Sequence, residues 1–185
     1  MSGTWIAVLG AVVLIALYAV MIYNRLVKST TVTEEGWSGI DVQLKRRSNF
    51  IPNLVETVKG YAAHERGTLD EVTELRAKTQ DAHGRAEWAE TEGLLTAALV
   101  RLLAVAENYP DLKASTNFTD LQGQLAEVED QIQMARRFYN GAVRNLNILV
   151  ESFPSNLIAN ASKFGKADFF EIEDAAQRAV PEVDF

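Results

Sequence analysis

Hydrophobic and polar positions divide the chain into two unlike stretches. From Met1 to Asn24 no side chain is charged, and Trp5 to Tyr23 (WIAVLGAVVLIALYAVMIY) is an unbroken apolar run. As a helix rising ~1.5 Å per residue it extends about 28 Å, close to the ~30 Å hydrocarbon core of a bilayer. From residue 32 the pattern becomes periodic. Trp37, Ile40, Leu44, Ile51, Leu54, Val58 and Tyr61 recur at alternating three- and four-residue steps. That spacing predicts one amphipathic helix over 32–65, with a seam that requires partner helices. Arg47 stands where an apolar residue is due. Pro52 lies inside the pattern without shifting its register, which predicts a kinked helix rather than two helices.

Three further helices follow. Residues 66–82 carry Leu69, Val72 and Leu75 on one face, with Thr68 as the expected N-cap, Asp70 and Glu71 in the first turn, and His83-Gly84 as the stop. Residues 86–107 contain LLTAALVRLLAVA, apolar nearly all round apart from Arg101 and too short to span a bilayer. That composition predicts the buried helix of a bundle. NYPDLKAS reads as a turn. From 116 to 152, Phe118, Leu121, Leu125, Val128, Ile132, Ala135, Tyr139, Ala142, Leu146 and Leu149 hold a coiled-coil-like repeat that Phe153-Pro154 stops. Short helices are expected near Leu157–Lys163 and Phe169–Arg178, and Ser29-Thr30-Thr31 is the expected break or cap between the apolar run and the helices after it.

These elements predict an all-α protein: a single N-terminal transmembrane helix, then an antiparallel up-down-up-down four-helix bundle with short C-terminal helices. The divisions are 1–28 for the anchor and juxtamembrane segment, 29–165 for the bundle, and 166–185 for a short helix and acidic tail. In the long pair formed by the first and fourth bundle helices, facing residues have numbers summing to about 180.

Charge sharpens this picture. The 185 residues hold 18 basic and 25 acidic side chains, net −7, and every acid lies beyond the apolar run. An acidic domain is a poor partner for nucleic acid. Trp5 and Tyr23 suit the two membrane interfaces, and the run has no basic n-region and is longer than a signal peptide's apolar core, so an uncleaved anchor is expected. Arg25 and Lys28 follow it directly, so the charge rule puts the amino terminus outside and the bundle in the cytoplasm, at the bacterial inner membrane. With no cysteine there is neither a disulfide nor a thiolate metal site.

The stretch WSGIDVQLKRRSNFIPNLVETVKGYA, residues 37–62, resembles the signature of the LemA family of bacterial membrane proteins. Asn108-Tyr109-Pro110-Asp111-Leu112-Lys113, Ala135-Arg136-Arg137-Phe138-Tyr139-Asn140, Phe153-Pro154-Ser155-Asn156-Leu157-Ile158-Ala159 and the terminal Val183-Asp184-Phe185 are similar to the same family, over about residues 22 to 185. The resemblance implies a single-pass anchor followed by a helical bundle, and no defined biochemical activity.

Enzymatic constellations are nearly absent. Tyr61 and Gln80 stand three residues before His64 and His83, where a di-iron bundle needs Glu. Phosphate-binding and nucleophile-elbow motifs are missing. The chain is therefore expected to be no enzyme, without catalytic residues, cofactor or metal. Lys45, Arg46 and Arg47 fall opposite Arg136 and Arg137 on the antiparallel pairing. They are a candidate site for an anion or a partner's carboxylates, unless Asp41, Glu129, Asp130 or acids of the second and third helices neutralise them. Phe50, Phe138, Phe169 and Phe170 lie off the seams and form a candidate interaction surface. The expected partners are the lipid bilayer, through the N-terminal helix, and copies of the chain or another membrane protein. The leading function is a membrane-anchored scaffold or adaptor, with exposed Asn108-Tyr109-Pro110-Asp111 and Pro154-Ser155-Asn156 as polar contact motifs. The alternative is a membrane-remodelling or envelope-stress protein that touches lipid through the bundle.

Overall fold

A computed structural model describes residues 2–170. It is all-helical, with no strand among those residues: α1 (Ser2–Tyr61), α2 (Arg66–Asp81), α3 (Arg85–Ala106), α4 (Pro110–Lys113), α5 (Thr116–Glu151) and α6 (Ser155–Ala161). Phe169 and Phe170 are not helical. The remainder of the helix expected near 169–178, the acidic tail and Val183-Asp184-Phe185 lie outside the described residues.

The expected break at Ser29-Thr30-Thr31 does not occur. α1 is continuous, and the hydroxyls of Thr30, Thr31 and Thr33 donate to the carbonyls of Leu26, Val27 and Ser29 at 3.1, 3.1 and 2.9 Å. A threonine that bonds four residues back satisfies its own hydroxyl inside a helix and has no reason to cap one. Pro52 is also accommodated within α1. A proline orphans the carbonyl four residues earlier. That carbonyl, on Ser48, accepts instead from Arg76 Nε of α2 at 2.9 Å.

α2 begins three residues earlier than its cap signal indicated. Glu65 occupies the N-cap without a side-chain bond, which leaves Thr68 inside the first turn. Gly84, at φ +88, opens α3, and the Glu87 carboxylate accepts from the His83 N–H at 2.9 Å. The NYPDLKAS stretch holds one helical turn, α4, with Pro110 at its start, where its missing N–H costs nothing.

The chain packs as two units, residues 2–40 with 134–169 and residues 41–133. The second unit holds a contiguous apolar core. Ile51, Leu54 and Val58 of α1, Leu69, Val72 and Leu75 of α2, and Leu95, Leu99 and Leu102 of α3 meet Leu112, Phe118 and Leu125. α3 is not buried all round, because Leu94 and Val100 remain exposed. In the first unit Leu26, Ile40, Tyr139, Val143, Leu146 and Ala159 are buried. The apolar run from Trp5 to Met21 is uncovered, and its length and composition fit a membrane crossing.

Candidate functional site

The seam of α1 carries Arg47 into the interior of the second unit, where it is 3% exposed. Its Nη1 donates to Thr96 Oγ1 at 2.9 Å and to Glu129 Oε2 at 3.0 Å, and its Nη2 donates to Glu92 Oε2. Thr96 is held in place by donating its own hydroxyl to the Glu92 carbonyl at 2.9 Å. Gln133 Nε2 donates to Glu129 Oε1 at 2.9 Å. Arg47 Nε and Gln43 Oε1 are buried without a hydrogen-bond partner.

One guanidinium is thus shared by two carboxylates. Burial pushes the Glu92 carboxyl above the usual range. Arg47 opposes that shift and the neighbouring Glu129 charge adds to it. A buried charge cluster of this kind contributes little net stability, but removing one member leaves an uncompensated charge in low dielectric. Its members join α1 to α3 and α5 within this unit.

The candidate basic cluster therefore separates into residues with different surroundings. Arg47 is occupied by the chain's own carboxylates, Lys45 pairs with Asp41 at 2.6 Å, and Arg46 lies 3.8 Å from Glu127. Arg136 and Arg137 belong to the other unit, half-buried and exposed respectively. Glu129 was named by the pattern as a neutralising acid, whereas Glu92 was covered only as an acid of the third helix. The signal for it was there: Glu92 steps onto the Leu95, Leu99, Leu102 and Ala106 face of α3, an acid at a seam position as Arg47 is a base at one.

The phenylalanine surface also divides. Phe50 packs against the apolar core and Phe170 is buried, so neither is free surface. Phe138 and Phe169 are 57% and 47% exposed. On α5, Met134, Phe138 and Ile148 are exposed at positions that share one helical face with Gly141 and Asn145.

The polar motifs prove structural in part. Tyr109 lies half-buried against the core and donates to Glu65 Oε1 at 3.1 Å. Ser155 is buried and donates to the Ser152 carbonyl at 2.9 Å.

In the first unit Gly36 permits a close approach. A Cβ there would stand 3.1 Å from the Tyr139 Cα and 3.2 Å from the Phe138 ring. Trp37 meets Tyr139 edge-to-face at 5.5 Å, and the Tyr139 hydroxyl donates to the Asp168 carbonyl at 2.8 Å. The Asn147 side chain ties down the following backbone at both ends of its amide, accepting from Ala167 N–H and donating to Ala167 O at 2.9 Å each. At the two ends of the apolar run Trp5 and Tyr23 are both exposed, and Tyr23 also meets the Phe164 ring edge-to-face at 5.6 Å.

The sequence profile of the LemA family matches residues 36–185. This chain belongs to the LemA family. The matched region holds the Arg47 cluster, Gly36 and the whole of α2 to α6. Among curated proteins, this LemA-family chain is 26% identical to magnetosome protein MamQ 2 of Paramagnetospirillum magneticum, over 95% of the chain and 74% of that relative. It is 23% identical to magnetosome protein MamQ of Magnetospirillum gryphiswaldense, over 86% and 68%. Protein LemA of Metamycoplasma hominis is 26% identical over 74% of the chain and 63% of its own length. Taken with the uncovered apolar helix, these matches make the chain a membrane-associated helical protein.

Proposed function

We propose that this LemA-family protein is a membrane-anchored, non-enzymatic scaffold or adaptor that assembles with copies of itself. The observation that carries the reading is the continuity of α1, which passes from an uncovered apolar run into the packed seam without a break. A single-pass anchor continuous with a packed helix holds that unit at the membrane without a flexible linker. Relatives named for a cellular structure rather than for a reaction support the non-enzymatic part.

The finer arrangement is an antiparallel four-helix bundle. Within each unit α1 meets α5: Gly36 and Trp37 contact Tyr139 in one, and Arg46 and Arg47 pair with Glu127 and Glu129 in the other. Arg25 and Lys28 favour an amino terminus outside the bacterial inner membrane and a cytoplasmic bundle.

The self-assembly face is the exposed Met134, Phe138, Ile148 stripe of α5. It has an open Gly141 for close approach and Asn145 at a position where a polar residue sets register. The chain has no cysteine, so a single Asn145→Cys reports on that face alone. Oxidative crosslinking of the full-length variant in native membranes should give a covalent dimer, and Phe138→Glu added to it should abolish the dimer. A chain that stays monomeric under oxidation, or that crosslinks equally well with Phe138→Glu, removes self-assembly through this face.

A further inference from the structure

The corner formed by α6 and its flanks, residues 152–166, leaves two large apolar side chains uncovered: Phe153 is 80% exposed and Leu157 is 58% exposed. The corner itself is well built. Ser155 and Ala159 are buried on its inner side. α6 ends with two reverse hydrogen bonds, Phe164 N–H to Ala159 O at 2.9 Å and Lys163 N–H to Asn160 O at 3.3 Å. This is the capping pattern that places the residue after the helix in the left-handed region. Lys163 occupies that position at φ 60, where glycine is the ordinary choice. The cap turns the chain so that Phe164 packs on Tyr23.

Tyr23 is the last residue of the apolar run, the level at which a tyrosine ring sits between hydrocarbon and water. Whatever packs on Tyr23 is therefore held at the membrane surface. We propose that the α6 corner is a second membrane contact, with Phe153 and Leu157 dipping into the interface of the same bilayer that holds the anchor. The proposal rests on reading the apolar part of α1 as membrane-spanning, and it is independent of self-assembly. It also accounts for two side chains that no core explains, since exposed phenylalanine and leucine at a membrane surface gain the burial that water denies them. Lys163, exposed at the same corner, suits the headgroup layer, where its stem lies along apolar surface and its ammonium stays wet. Two contacts, one spanning and one interfacial, fix the rotation of this unit about α1 as well as its height.

The test uses full-length protein in lipid nanodiscs of phosphatidylcholine with a minority of phosphatidylglycerol. Single cysteines carry a nitroxide at Phe153→Cys, Leu157→Cys, Val12→Cys within the span, and Gln124→Cys on the exposed side of α5. Collision with oxygen and with a water-soluble nickel chelate is read for each. Interfacial insertion predicts oxygen-favoured collision at 153 and 157, with nickel access several-fold below that at 124 and above that at 12. Labels at 153 and 157 that match 124 overturn the proposal while leaving the anchor intact. Low access to both reagents means that protein rather than lipid covers the corner, and also overturns it. A label at 12 that matches 124 overturns the anchor reading and this proposal with it.

Discussion

In residues 2–40 with 134–169, helix meets helix through a glycine and aromatic rings: Gly36 lies under Tyr139 and Phe138, and Trp37 and Tyr139 meet edge-to-face. In residues 41–133, the same two helices contribute aliphatic side chains to a core that also encloses a guanidinium between two carboxylates. The first kind of contact depends on shape. A missing Cβ admits the Tyr139 backbone and the Phe138 ring, and the Tyr139 hydroxyl finds a backbone carbonyl at Asp168. The second depends on charge balance, because burial of Arg47 is tolerated only while its carboxylates are present. One helix pair can thus be specified along its length by two different physical rules, and each unit should fail in its own way.

The largest effect is expected from Arg47→Ala. It strands Glu92 in the core without a counter-charge and should cost about 3–5 kcal/mol in denaturant unfolding. Arg47→Met combined with Glu92→Leu should recover most of that loss. Recovery would show that the charges add little net stability, and a double variant no better than the single would show that they stabilise in their own right.

Gly36→Leu comes next. With the Tyr139 backbone 3.1 Å from where a Cβ would stand, the larger side chain forces the helices apart, at about 1–3 kcal/mol for overpacking. Loss of hydrogen-exchange protection should concentrate in 134–150 rather than at Leu95 to Leu102. A uniform loss over both regions would erase the distinction between the units.

The smallest effect is a slope. The Glu92 carboxyl lies above its ordinary value because burial outweighs the pull of Arg47. The native state therefore binds the proton more readily than the unfolded chain. Stability from this group is fully present below the unfolded carboxylate value of about 4.3 and is lost as pH rises through the folded one. Glu92→Gln should flatten that part of the stability–pH curve.

Much of this was legible in the pattern of the chain. The seam positions Ile40, Leu44, Ile51, Leu54 and Val58 of α1 and Phe118, Leu125, Val128, Ile132, Tyr139, Ala142 and Leu146 of α5 are all buried, because a helix exposes its period directly in sequence. Arg47 announced itself as an exception to that period. The partners that satisfy it were harder to read, since they come from helices whose relative register no local rule fixes. Caps were less legible still. Thr30, Thr31 and Thr68 resemble helix starts, yet each lies inside a helix, and the Thr30 and Thr31 hydroxyls are satisfied four residues back. The four candidate phenylalanines divide into covered and bare for a related reason: a position off the seam of its own helix is covered or bare according to what packs beside it.

By itself, the sequence determined the apolar run and its length, the helices and their seams, the place of the buried base and membership of the LemA family. The first three are properties of composition or of spacing along one helix, and family membership rests on motifs spread along the chain. Tertiary structure alone decided that Glu92 and Glu129 share Arg47, that Arg76 satisfies the carbonyl orphaned by Pro52, that Gly36 admits Tyr139, and that Phe164 comes to rest on Tyr23. Those pairings join residues far apart in the chain, and their geometry exists only once the seams have closed.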